Sequence, residues 1–176
     1  NITYIAYAVK MNEPELLKQQ LYQTWGDALD ITGDENRFAL NEAWRALHLF
    51  DERVQAKGRQ VLDRLEADGK LGILLLARPY HHDPGVGHEI AEEFQAHGYP
   101  ILSIRSIPKD KAWLHRFFAR DMQQGRIDSP LEIGDVWPEN YSANSAQKVW
   151  AAKFAARHPN IATLDLSSFK CGLDAP

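Results

Sequence analysis

The strongest constraint on this chain is a short, unbroken apolar run, Leu71-Gly72-Ile73-Leu74-Leu75-Leu76-Ala77, set between Asp68-Gly69 and Arg78-Pro79. A run of that length with no polar interruption suits a strand buried on both faces, as in the centre of a parallel sheet, where crossover helices cover the faces. From about His88 to His97 the pattern turns helical, with Ile90 and Phe94 inward and Gly98 as the stop, and Pro100-Ile101-Leu102-Ser103-Ile104 then reads as a second strand. Strand, turn, helix and strand within one short stretch predict a βαβ unit, whose crossover should be right-handed.

The rest of the chain extends this alternation. Ile2 to Val9 is apolar and rich in Ile, Tyr and Val, which predicts a first strand; Asn12 and Pro14 then open a helix with Leu17, Leu21, Trp25 and Ala28 on one face. Asp34 is expected to cap a second helix over about Glu35 to Ala67, with Leu40, Ala43, Trp44, Leu47, Phe50, Val54, Val61, Leu62 and Leu65 as its apolar stripe and Gly58 as a possible interruption. Asp110 to Gln124 and Ser145 to Arg157 read as further helices, and Ile161 to Ser167 as the last strand. The connection from Arg126 to Asn144 is long for a compact domain and suggests a cover or a docking site. The expected organisation is one domain over 1–176, with an N-terminal strand and helices over 1–68 and a motif-bearing βαβ region over 69–176.

Charge and cysteine count exclude several functions. Twenty basic and 24 acidic residues leave a formal charge of -4, and the bases are scattered among acids, so no stripe for a nucleic-acid backbone is present. No run approaches the ~20 apolar residues of a membrane span. A single cysteine, Cys171, rules out an intrachain disulfide, and a cytoplasmic location is expected. The first residues lack a basic region and an initiator Met, and the far end stops within a polar segment, so the chain is expected to be a domain cut from a longer protein.

In an open α/β sheet, ligands bind beyond the carboxyl ends of the strands. Two segments belong there. Arg78-Pro79-Tyr80-His81-His82-Asp83-Pro84-Gly85-Val86-Gly87-His88-Glu89 follows the central strand and gathers a guanidinium, a phenol, three imidazoles and two carboxylates with two glycines. Arg78, Tyr80, His81, Asp83 and His88 are the candidate ligand-binding residues; Arg78 suits a phosphate or carboxylate, while Asp83 is equally suited to bracing the turn. His88-Glu89-Ile90-Ala91-Glu92 is not the zincin pattern, which requires His at the fifth position. The second segment, Ser167-Ser168-Phe169-Lys170-Cys171-Gly172, brings the thiol to the last strand end. Cys171 is open to three readings: a buried small hydrophobe, a nucleophile with His81 as its base, or a metal ligand whose partners lie elsewhere.

Arg78-Pro79-Tyr80-His81-x-Asp83-Pro84, Gly98-Tyr99-Pro100-Ile101-Leu102 and Ser167-Ser168-Phe169-Lys170-Cys171-Gly172-Leu173-Asp174 together resemble the CoA-substrate-specific enzyme activases, similar to the activators and components of 2-hydroxyacyl-CoA dehydratases and benzoyl-CoA reductases. The resemblance runs from about Gly69 to the end and is weaker in the helix from Glu35. It implies an α/β, Rossmann-like open, mostly parallel sheet with helices on both faces. It also implies a role in ATP-coupled electron transfer, with Cys171 as one ligand of a [4Fe-4S] cluster and the Arg78 to Asp83 turn on the rim of the cluster or CoA site. No phosphate loop or paired acids for Mg-ATP are present in the sequence, so the ATPase domain and the other cluster cysteines would belong to the remainder of the polypeptide, and an acyl-CoA dehydratase or reductase is the implied partner. The piece alone is expected to hold no cluster. Its alternative is a non-redox module that binds CoA or another phosphate-bearing ligand.

Overall fold

The computed structural model describes residues 4–83 and 85–167, so Cys171 and its segment lie outside the described residues. The chain divides into two compact units between Phe50 and Asp51.

The first unit holds helix α1, Pro14–Leu29, and the start of helix α2, Gly33–Asp68. Residues 4–10 form no strand, in contrast to the expectation over Ile2 to Val9: Tyr4 is 87% exposed, and Tyr7 instead packs edge-on against Trp25 at 5.6 Å. An apolar segment becomes a strand only where a neighbour takes its backbone hydrogen bonds, and none does so here. The start of α2 is set by Thr32 rather than Asp34. The Thr32 hydroxyl accepts from the Glu35 amide at 3.2 Å, and the Glu35 carboxylate accepts from the Thr32 amide at 2.8 Å, a reciprocal capping box. The Thr32 amide, and second the Thr32 hydroxyl, which donates to the same carboxylate oxygen at 2.8 Å, hold the Glu35 carboxyl below its ordinary range. Asn36, buried, donates to the Lys18 carbonyl at 2.9 Å and ties the two helices together.

The second unit carries an all-parallel sheet of strands β1, Gly72–Leu76; β2, Ile101–Ser103; and β3, Ile161–Asp165, in the order β2-β1-β3. The parallel pairing of β1 with β2 across helix α3, Ile90–Ala96, is the expected βαβ unit. All five residues of β1 are buried, as the unbroken apolar run predicts for a central strand. Helices α4, Lys111–Gln123, and α5, Ala143–Ala155, follow; Asp110 and Ser142 cap them through the Trp113 and Ser145 amides.

Leu74 and Leu76 face a cluster built from Leu62 and Leu65 of α2, Leu114 and Phe118 of α4, and Trp150 and Phe154 of α5. Only the C-terminal part of the α2 stripe is thus buried; Leu47 and Phe50 are 39% and 52% exposed. Gly58 does not interrupt α2. A Cβ there would lie 1.8 Å from the Ser106 carbonyl oxygen, so the missing side chain is what lets the helix meet the 3-10 turn Ile104–Ser106 after β2.

The connection after α4 is pinned rather than loose. Lys153, buried on α5, donates to the Glu132 carbonyl at 2.8 Å and pairs with Asp135 at 2.5 Å, and the Trp150 indole donates to the Pro130 carbonyl at 2.9 Å. Asp121, 5% exposed, pairs with Arg126 and with Arg157. The Arg126 hydrogen bond is the main cause that holds the Asp121 carboxyl below its ordinary range; burial opposes it and Arg157 adds to it.

Candidate functional site

Because the strands are parallel, their carboxyl ends share one edge of the sheet. From β1 the chain crosses to β2 on one side, then returns past β1 to β3 on the other. The strand order therefore reverses at β1, and in open parallel sheets ligands commonly bind beyond the strand ends at such a point. The segment leaving β1 is Arg78 to Glu89.

This segment is a folded turn braced by its own groups. Pro79–His82 is a 3-10 turn, which Pro79 starts with its fixed φ. His81 Nδ1 accepts from the Arg78 amide at 3.2 Å, which fixes the ring against the start of the turn. One Asp83 carboxylate oxygen accepts from the Gly85 amide at 2.9 Å and the Val86 amide at 3.0 Å. Gly87 closes the turn: its amide donates to the Asp83 carbonyl at 2.7 Å, and a Cβ there would lie 2.6 Å from the His81 carbonyl oxygen. His88 and Glu89 follow with φ of 52° and 57°, a left-handed pair without glycine that enters α3.

The sequence candidates thus take different places. Arg78 and His81 are half-buried at the base of the turn, whereas Tyr80, Asp83 and His88 are exposed along it. The Tyr80 and His81 rings lie 4.3 Å apart. Asp83 carries out the turn-bracing role that its residue type allowed. His82 titrates below the ordinary imidazole range, first through burial of its ring and second through the neighbouring His81 charge, although the residue keeps an exposed edge. Among the described residues, no group of three or more His, Cys, Asp or Glu side chains could hold a metal ion. None of their helices is long and apolar enough to cross a membrane.

Sequence reading missed two features. The closure at Gly87 was hidden because only the folded turn brings residue 87 onto His81. The pairing of buried His158 with Glu66, 2.9 Å apart, joins residues distant in the chain. Spacing alone gives no signal of that contact.

No curated protein and no solved structure matches the chain. The family model described as the CoA enzyme activase uncharacterised domain matches residues 1–107, from the first unit through β2 and the turn after it. The match lies further toward the N-terminus than the resemblance first drawn from Gly69 onward and ends before Ser167-Ser168-Phe169-Lys170-Cys171, yet it includes the Arg78 to Glu89 turn. With more than half its residues under that model and its turn at the reversal point of a parallel sheet, the chain belongs to the CoA enzyme activase uncharacterised domain family.

Proposed function

We propose that this domain supplies a ligand-binding rim to a cytoplasmic, ATP-coupled CoA enzyme activase-type protein, with Arg78, Tyr80, His81, Asp83 and His88 facing a CoA-bearing substrate. The observation that carries this reading is the reversal of strand order at β1, which makes the edge beyond β1 the crevice of the sheet. Arg78 and His81 carry N–H groups of the kind suited to phosphate oxygens, and the exposed Tyr80 ring offers a flat apolar surface beside them. Asp83 acts by holding the turn that sets them. The reading takes the sheet as Rossmann-like with helices on both faces; the burial of Ile73 and Leu75, which alternate with the cluster residues Leu74 and Leu76, supports it.

In the same reading Cys171, a few residues beyond β3 in the chain, gives one thiolate to a [4Fe-4S] cluster. One thiol does not fit a cluster that takes three or four, so the remaining ligands and the ATPase come from the rest of the polypeptide, with an acyl-CoA dehydratase or reductase as partner. The contribution of this chain's own residues is to bind and orient.

Histidine footprinting with diethyl pyrocarbonate tests the rim. CoA should protect His81 and His88 while leaving the exposed His48 and His115 reactive; equal modification with and without CoA would count against it. For Cys171, anaerobically purified full-length protein should lose iron on Cys171→Ala, and unchanged iron would remove the cysteine from the cluster.

A further inference from the structure

At the corner between α5 and β3, His158 is 3% exposed and enclosed by the Phe117 and Phe154 rings, at 5.1 and 5.4 Å. The charged groups that face it are Glu66 of α2, whose Oε1 lies 2.9 Å from Nε2 but off the line of a full hydrogen bond, and Arg116 of α4, which is itself paired with Glu66. Its other nitrogen, Nδ1, accepts from the Asn160 amide at 3.2 Å. That bond requires Nδ1 to be unprotonated, so the folded ring is neutral and carries its proton on Nε2, toward Glu66.

Asn160 is the first link between β3 and β1. Its carbonyl accepts from the Gly72 amide at 2.9 Å, and its side-chain amide donates to the Lys70 carbonyl at 2.8 Å. Pairing then runs from Gly72 with Ile161 through Leu76 with Asp165. β3 is an edge strand in the order β2-β1-β3, so this seam is all that holds it in the sheet.

We propose that His158 is a proton-operated latch on the β1–β3 seam: the neutral ring holds Asn160 through Nδ1, and a proton taken from water onto Nδ1 turns that acceptor into a donor facing the Asn160 N–H and releases the start of β3. Two N–H groups aimed at each other in an apolar corner cost a hydrogen bond and bury a charge. Arg116 already draws on the Glu66 carboxylate, which leaves it less able to compensate the imidazolium. Burial accordingly holds His158 below the ordinary imidazole range, against the opposing pull of Glu66. The folded form resists a proton that the unfolded form accepts near pH 6.5, so the seam weakens as pH falls from there toward the lower folded value. β3 also borders the crevice at the reversal point, but exchange at its amides reads the latch with no ligand present.

The test is amide hydrogen exchange of the full chain between pH 7.5 and 5.5, with the His158 ring nitrogens followed by NMR. The latch predicts an Nε2-protonated neutral ring and a β3 protection factor that falls about tenfold per pH unit below about 6.5, while α4 protection changes less. His158→Gln, which can accept and donate at the same places without titrating, should keep β3 protected and remove most of that pH dependence. Should the glutamine variant fold poorly, the wild-type ring signals still decide. An Nδ1-protonated neutral ring, or β3 protection that does not change with pH while the ring titrates, would overturn the latch.

Discussion

Replacing Gly58 with alanine sets two effects against each other at one atom. In an exposed helix the change should stabilise by about 1 kcal/mol, because alanine loses less backbone entropy and has the higher helix propensity. Here the new Cβ would stand 1.8 Å from the Ser106 carbonyl oxygen, 2.7 Å from its carbon and 3.1 Å from the Ser106 Cβ. An ordinary carbon–oxygen contact is about 3.3 Å or more, so α2 and the turn after β2 must part by roughly 1.5 Å. The near atoms are backbone, and no rotamer change can relieve them. Overpacking of this kind typically costs about 1–3 kcal/mol, and an obstacle of backbone belongs at the upper end, which leaves a net loss of about 1–2 kcal/mol after the helix gain. For a chain of this size that is roughly 2–8 °C in Tm. Gly33→Ala is the control, since its Cβ would meet only the Tyr22 ring at 3.8 Å. Thermal denaturation followed by circular dichroism should show Gly58→Ala melting lower and Gly33→Ala unchanged or higher. A Gly58→Ala protein as stable as the wild type would refute the close contact between α2 and Ser106.

Three further outcomes follow from particular contacts. Asp121→Asn strips the charge that Arg126 and Arg157 share and should cost about 2–4 kcal/mol in urea unfolding at pH 7; because the folded carboxyl titrates below its ordinary value near 3.8, the wild type should lose this advantage only as pH falls below that value, and the gap between the two proteins should close there. Trp150→Phe keeps the ring but removes the donor to Pro130, with an expected loss of about 1 kcal/mol by the same assay. Gly87→Ala places a Cβ 2.6 Å from the His81 carbonyl and should reopen the turn, with a fall in CoA affinity of tenfold or more and little change in Tm; equal affinity would mean that the turn's closure is irrelevant to binding.

The sequence was most legible where one element's identity rests on its own residues. The unbroken run over Ile73 to Ala77 announced a central parallel strand, and the stripe between Asp110 and Gln124 announced a helix, found over Lys111–Gln123 with Asp110 as its cap. It misled where the outcome depends on a partner. Ile2 to Val9 has strand composition, yet residues 4–10 find no strand to pair with. The α2 stripe is apolar along its length, but the cluster meets it only toward its C-terminal end, at Val61, Leu62 and Leu65. Gly58 looked like a weakness in a helix and is a point of contact between elements far apart in sequence. In the candidate site, the residue types of the Arg78 to Glu89 turn and the bracing role of Asp83 were readable, whereas the closure at Gly87 against the His81 carbonyl was not.

The claim that the turn beyond β1 is a ligand rim is tested most directly by calorimetric titration of CoA into the wild-type chain and into Arg78→Ala. The account predicts one-to-one binding to the wild type that weakens by tenfold or more in Arg78→Ala, compared at a temperature where circular dichroism shows both proteins folded. Absence of binding to the wild type, or equal affinity in the two proteins, would contradict it.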